Sequence, residues 1–448
     1  MRRTLQYLGA AVVLSTCPAI AAENLPRSTW SSFPLPGLRP RAAESVPEQR
    51  DERRLTAEEK AVKQRLEKQW RAQAPTHRLI LRDDDRARTG RVVEERPGAV
   101  VFMENWGDSA EMTYSVPRER IALLEKLALT PPDFSYRDIR FQMEFPDLTL
   151  YWRGPYTILT DESWFRVEDT VALLTLLHER FLQTWGPLLT RTRPPRGIQV
   201  LFFSGVERFR KTQQQYAPYL ENPQGFYSPT QRRLVLYNVR ASERVGDLRA
   251  QLAAEEKRHQ EEGATPEQMS EVRLWRQEQD RRLDGYAEEQ TRTTIRHEGT
   301  HQLFDAYELY TPDRIENDWL IEGLAGYGEG PYPGAEDPDK RALLGEALEA
   351  DALIPLEQLL EVKRFSSLVV SGSVERIRLA YAQSWGLVSF LMRPENRPTF
   401  FDYLRFVNDP ANRREVRTTP PVSLLTRFLL LDPDELWRRW IAWVEKSP

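Results

Sequence analysis

His297-Glu298-Gly299-Thr300-His301 could place two imidazoles on one metal ion. On a helix, residues four apart share a face. His297 and His301 could therefore grip a Zn²⁺, with Glu298 beside it as general base. The chain has 5 histidines, and two of them stand in this motif. The bland alternative is a polar helix turn with two surface histidines. A catalytic zinc site takes three protein ligands and leaves one position open. Glu322 is the third candidate, in the run Trp319-Leu320-Ile321-Glu322-Gly323-Leu324-Ala325-Gly326-Tyr327-Gly328-Glu329. Between the two motifs, Pro312 in Tyr310-Thr311-Pro312-Asp313 is expected to stop the first helix. A second helix would then bring Glu322 back to the histidines. Its neighbours are nearly all apolar, which predicts a buried turn, and a buried carboxylate needs a partner.

These motifs resemble the gluzincin metallopeptidases, whose pattern is HExxH followed by a glutamate ligand. The wording of the second run is especially similar to bacterial secreted peptidase MA-like proteins, many of them described only as domains of unknown function. Leu379-Ala380-Tyr381-Ala382-Gln383-Ser384-Trp385-Gly386 adds a third resemblance, to the YAQSW-like helix of such families. The likeness runs from about residue 148 to the C-terminus. It implies a zincin-like fold with His297, His301 and Glu322 as zinc ligands and Glu298 as catalytic base. It also implies that Tyr381 steadies the oxyanion, with Tyr327 in reserve; a packed aromatic is the alternative for Tyr381. Thermolysin-type relatives carry a histidine-orienting aspartate where this chain has Gly326, so that support must come from elsewhere, with Glu329 as the candidate. The acidic GAMEN-type motif of aminopeptidases is not found.

The elements that must hold this site can be read from periodicity. They make an α+β protein with a small mixed sheet and a helical C-terminal part over 148–448, which the resemblance implies is zincin-like, preceded by a small SH3-like β-module. Leu148 to Thr160 reads as a strand, and Val171, Leu174, Leu177, Phe181 and Trp185 mark one helix face. Ile198 to Phe203 reads as a buried strand. Phe226-Tyr227 and Leu234 to Tyr237 flank a turn and read as a hairpin, along whose edge a substrate chain could lie as an added strand. Residues 240–290 form a charged helical insertion. Within it Thr265-Pro266-Glu267-Gln268 has the form of a capping box, and Asp284-Gly285 is a candidate break. The insertion's charges read as a solvated face, with a protein-binding arm as the sharper alternative. Apolar segments at Tyr381 to Leu391 and Phe400 to Val407, and a last helix from Asp432, complete the helical part.

Upstream, Thr56-Ala57-Glu58-Glu59 opens an amphipathic helix carrying Ala61, Val62, Leu66 and Trp70. Short runs at 77–82, 90–95, 99–104 and 112–116 read as four strands of a barrel or meander. Turns are expected at Asp83-Asp84-Asp85, Arg96-Pro97-Gly98 and Trp106-Gly107-Asp108. The helix and strands together are read as one unit, 56–125. His77 and His178 are read as structural, and His259 is given no role.

The N-terminus has the form of a secretory signal over 1–22: Arg2 and Arg3, a short apolar run, and Ala19-Ile20-Ala21 as cleavage site. Leu14-Ser15-Thr16-Cys17 resembles a lipoprotein box, which makes a lipid anchor the alternative. Residues 23–55 read as an unstructured leader. The chain has a single cysteine, Cys17, so no disulfide can form within it. No stretch of the mature chain is apolar enough to cross a membrane. The net charge of −4 gives nucleic-acid binding no support. The expected activity is zinc-dependent hydrolysis of a peptide or protein substrate. The rival is an exported binding or scaffold protein on a peptidase fold.

Overall fold

The computed structural model describes residues 55–73, 76–104, 113–127, 132, 134–153, 155–190, 198–218, 220, 223–310, 317–365 and 374–446. The signal, the lipoprotein box, nearly all of the leader, the Trp106-Gly107-Asp108 turn and Thr311 to Asp313 lie outside these residues. The fold is α+β. It begins with helix α1 (Ala57–Gln73) and strands β1 (His77–Leu81), β2 (Asp84–Arg96), β3 (Ala99–Glu104), β4 (Thr113–Pro117) and β5 (Ile121–Lys126). Then come α2 (Tyr136–Glu144), β6 (Thr149–Arg153), β7 (Tyr156–Thr160), α3 (Trp164–Trp185), β8 (Ile198–Phe203), α4 (Val206–Tyr216), β9 (Gly225–Ser228) and β10 (Arg233–Tyr237). The remainder is helical: α5 (Glu243–Glu261), α6 (Pro266–Ala306), α7 (Asp318–Gly328), α8 (Pro338–Glu349), α9 (Leu356–Glu361) and α10 (Val374–Leu391). The last four are α11 (Arg397–Asn408), α12 (Arg413–Thr418), α13 (Pro421–Leu429) and α14 (Pro433–Lys446).

The second sheet, ordered β6-β7-β8-β10-β9, positions the site. It is mixed: β7, β8 and β10 run parallel, and an antiparallel strand closes each edge. Its inner strands are buried on both faces, so they read as continuous apolar runs. Ile158, Val200, Phe202, Leu234 and Leu236 face α3, α6 and the C-terminal helices. Leu159, Leu201, Phe203, Val235 and Tyr237 face the other way, against α1, α2 and α4. The stretch read as one strand, Leu148 to Thr160, divides into the β6–β7 hairpin, pairing Thr149 with Thr160 and Arg153 with Tyr156.

Three expectations about element boundaries change. Helix α1 is opened by the expected Thr56–Glu59 box. Its Val62, Leu66 and Trp70, however, join Phe141 and Leu150 in the core under the second sheet rather than the module's core of four buried residues. The module has five strands, not four, in the order β4-β3-β2-β1-β5. Strand β5 was missed because both its faces stay partly exposed, which blurs the alternation. The strand β2 begins at Asp84, so of the three aspartates only Asp83 lies in the turn, which is a tight one at Arg82-Asp83. Its small core is Leu79, Leu81, Phe102 and Val116.

Helix α6 runs unbroken for 41 residues through Asp284-Gly285. It starts at the expected box, in which Thr265 Oγ1 accepts from the Gln268 amide and Gln268 Oε1 accepts from the Thr265 amide. It ends at Ala306, ahead of Pro312, in a Schellman turn. Leu309 N–H reaches the Phe304 carbonyl at 2.9 Å, Glu308 N–H reaches Asp305 at 3.0 Å, and Glu308 takes the left-handed φ of 58°. A backbone cap, not the proline, therefore turns the chain back toward α7.

Helix α7 is flanked by α6 and α10 with almost no gap. A Cβ on Gly323 would sit 2.7 Å from the Ser384 carbonyl oxygen, and one on Gly328 would sit 2.4 Å from Thr300 Oγ1. The first clash is with backbone and cannot be relieved by a rotamer change. Gly323→Ala is expected to cost about 1–3 kcal/mol as α7 and α10 are forced apart. A thermal melt matching the wild type would show that the helices yield more easily than their packing suggests.

Candidate metal centre

The HEGTH turn packs against α7 on one side and the edge strand on another. His297 and His301 face α7. Glu298 faces the edge strand, where its Oε2 accepts the Tyr227 amide at 2.8 Å. Thr300 packs into the space left by Gly328. Gln302, next in the chain, donates to the Gln199 carbonyl of β8 at 2.8 Å and fixes the helix on the sheet. Strand β9, which pairs with β10 in the expected hairpin, thus lies along α6, and Tyr227 also donates its hydroxyl to Asp305.

Glu322 arrives on α7 with its carboxylate against both imidazoles. His297 Nε2 and Glu322 Oε2 are 3.2 Å apart, His301 Nε2 and His297 Nε2 3.2 Å, and His301 Nε2 and Glu322 Oε2 3.5 Å. A tetrahedral ion with bonds of about 2.0–2.1 Å would space its ligand atoms by about 3.3–3.4 Å. The three atoms therefore stand as such an ion requires. All three side chains are within 2 % of full burial. The His297, His301 and Glu322 group could hold a metal ion.

The far nitrogens of both rings are also engaged, an arrangement that directs the other pair at one point. His297 Nδ1 lies 2.6 Å from Glu329 Oε1, and His301 Nδ1 lies 2.6 Å from the Tyr310 hydroxyl. Glu329 thus takes the supporting place that Gly326 left vacant. Its second oxygen meets Lys340 Nζ, which also pairs with Asp337 at 3.1 Å. Burial opposes charge on both partners. Lys340 nevertheless holds the Glu329 carboxyl below its usual range, and Glu329 and Asp337 raise the Lys340 pKa, so both stay ionised.

In the metal-free chain burial works against a charged His297, but Glu322 and Glu329 outweigh it and push its pKa well up. Burial raises the Glu298 carboxyl, and the nearby histidines pull it back part of the way. A base made less acidic by burial is better placed to take a proton near neutrality.

Tyr381 on α10 is buried beside the cluster. Burial raises its pKa first, and the charges of Glu322, Asp318, Glu298 and Glu329 raise it further, so its phenol keeps its proton and can donate. Phe365 packs edge-on against its ring at 4.9 Å, and Asp318 holds Phe365 by accepting its amide at 2.7 Å. Tyr327 goes elsewhere. Five residues beyond Glu322 on one helix is a rotation of about 140°. Its ring meets Trp185 edge-on at 6.0 Å, and the charge that perturbs it is Arg397. The reserve role for Tyr327 is therefore withdrawn.

Sequence reasoning missed Lys340, Tyr310, Asp318 and the Tyr227 amide. No spacing rule connects them to HEGTH, because they come from different elements and meet only by packing.

The other three histidines lie away from the cluster. His259 lies on the charged α5, 3.6 Å from Glu255, and His77 bonds to Thr76. His178 is buried, with Nε2 2.7 Å from the Tyr307 hydroxyl. Burial pushes its pKa down to about 4, against about 6.5 in an unfolded chain. Between those values the unfolded chain binds more protons than the folded one. The contribution of neutral His178 is thus fully present above pH ~6.5 and is lost as pH falls toward ~4. With a chelator present, the urea midpoint of the wild type should fall through this window more steeply than that of His178→Gln. Parallel curves would show that His178 is not held neutral.

Residues 291–412 match a family model described as "Protein of unknown function (DUF1570)". The matched stretch includes both histidines, Glu298, Glu322, Glu329, Lys340 and Tyr381. No curated protein matches the chain.

Proposed function

We propose that this protein is a zinc-dependent metallopeptidase of the gluzincin type. The observation that carries the reading is the convergence of His297 Nε2, His301 Nε2 and Glu322 Oε2 at mutual distances of 3.2–3.5 Å, with the opposite nitrogens of both rings engaged. Two neutral imidazoles and a carboxylate form the donor set of a hydrolytic zinc site, with one position left for water. When bound, zinc supplies Lewis acidity, lowering the pKa of a water toward ~7 and polarising a carbonyl. Glu298 takes the water's proton and delivers it to the leaving amine, while the Tyr227 amide holds one of its oxygens. Tyr381 donates to the carbonyl oxygen as negative charge builds there. Strand β9, lying along α6, offers a main-chain edge for an extended peptide.

The zincin-like identity of the second sheet and its helices is part of this proposal, as is export of the chain. For the first sheet, the return of β5 onto β1 after a 3-10 turn at Arg118–Arg120 supports the SH3-like reading of that module. Among the described residues no helix is long and apolar enough to cross a membrane.

The test is elemental analysis of the purified chain together with turnover of a mixed peptide library. One zinc per chain and cleaved peptides are expected. A chain that neither retains zinc nor takes it up from a zinc buffer would sink the proposal. Full loading without turnover of any peptide would favour the binding or scaffold reading.

A further inference from the structure

We propose that Lys340 is a positioning residue of the metal centre, acting through Glu329 on His297. The inference rests on the metal-centre reading above. Lys340 is only 7 % exposed and stands in the first turn of α8, just after its N-cap Asp337. Both placements are unfavourable for a lysine. A cation at a helix N-terminus opposes the helix dipole, and an ammonium removed from water must be repaid by close partners. Local choices that cost stability mark places where something else is gained.

The partners show what is gained. Lys340 Nζ binds one oxygen of Glu329, and the other oxygen lies 2.6 Å from His297 Nδ1. Asp337 holds the ammonium from a second side at 3.1 Å, and the Trp385 ring lies 5.9 Å away. A carboxylate pinned at one oxygen cannot turn, so its other oxygen stays in line with the imidazole. His297 is then fixed with its Nδ1 hydrogen toward Glu329 and its Nε2 lone pair toward Glu322 and His301. Without Lys340 the carboxylate could swing and the ring would lose that direction. The lysine also balances a crowded set of negative charges: Glu298, Glu322 and Glu329 all lie in this buried region.

The experiment measures Zn²⁺ affinity of the full chain by competition with a chromophoric chelator. It compares wild type, Lys340→Met, Lys340→Arg, Glu329→Gln and the Glu329→Gln/Lys340→Met double variant. Loss of a group that orients a metal ligand typically weakens binding about 10–100-fold, and that is expected for Lys340→Met and for Glu329→Gln. Lys340→Arg, which keeps the charge, should recover most of the affinity. The double variant should bind within about twofold of Glu329→Gln alone, because Lys340 acts through Glu329. If Lys340→Met leaves too lone a buried carboxylate to fold, the double variant, which removes both charges, still makes this comparison with Glu329→Gln. Wild-type affinity in Lys340→Met, or a full further loss in the double variant, would overturn the inference while leaving the metal centre intact. A wild type that takes up no zinc would instead overturn the metal-centre reading itself, and this inference with it.

Discussion

Replacing Glu298 with glutamine is expected to abolish hydrolysis while leaving metal binding nearly unchanged. Glu298 is not one of the three side chains that converge on the site. Its Oε2 is taken by the Tyr227 amide at 2.8 Å, on the edge-strand side of the helix. The amide of glutamine has almost the same shape and can still accept that bond through its carbonyl oxygen, so the fold is not disturbed. It cannot take a proton from water. General acid–base groups typically contribute ~10²–10⁴-fold, so the loss should be plain in any assay that detects the wild type. Glu322→Gln should behave differently, weakening metal affinity first and activity as a consequence. Wild-type turnover in both variants would refute the proposed mechanism, whereas equal metal loss in both would make Glu298 a ligand.

Removal of the metal, by chelation or by His301→Ala, should lower thermal stability as well as activity. An ion that binds only the folded chain adds about 2.7 kcal/mol at a hundredfold excess over Kd and about 4.1 kcal/mol at a thousandfold excess. His301→Ala deletes one of the three proposed ligand atoms and leaves the Tyr310 hydroxyl without its 2.6 Å partner. Added zinc should therefore raise the melting temperature of the wild type and barely move that of the variant. Uptake should also release protons. In the metal-free chain Glu322 and Glu329 favour a charged His297, and that ring must give up its Nε2 proton to act as a ligand. Apparent zinc affinity should accordingly rise with pH while His297 is charged in the metal-free chain. A flat dependence on pH would show that His297 is already neutral. An equal response to zinc in wild type and variant would move the metal elsewhere.

The sequence by itself determined the parts of this protein that obey local rules. Helix periodicity placed His297 and His301 on one face, and apolar flanks placed Glu322 in a buried turn. Side-chain chemistry at helix starts identified the caps at Thr56 and Thr265, and unbroken apolar runs marked the strands buried on both faces. Local rules misjudged elements whose partners lie elsewhere. Helix α6 passes through Gly285 because its long flanking segments outweigh one poor helix former. It stops at a Schellman turn with Glu308 in a left-handed conformation, where proline had seemed the natural end. Helix α1 precedes the β-module in the chain yet packs under the second sheet, since burial follows available apolar surface and not order along the chain. Most of the site's support was decided only by the tertiary structure. Glu329 could be named from spacing, but its Lys340 anchor, the Tyr310 hydroxyl on His301 and the Tyr227 amide on Glu298 could not, and Tyr381 lies near the cluster's carboxylates while Tyr327 packs against Trp185. Their positions follow from the close contact of α7 and α10 at Gly323 and from β9 lying along α6. A single sequence records spacing within an element, but the distance between elements is set by packing that the whole core fixes at once.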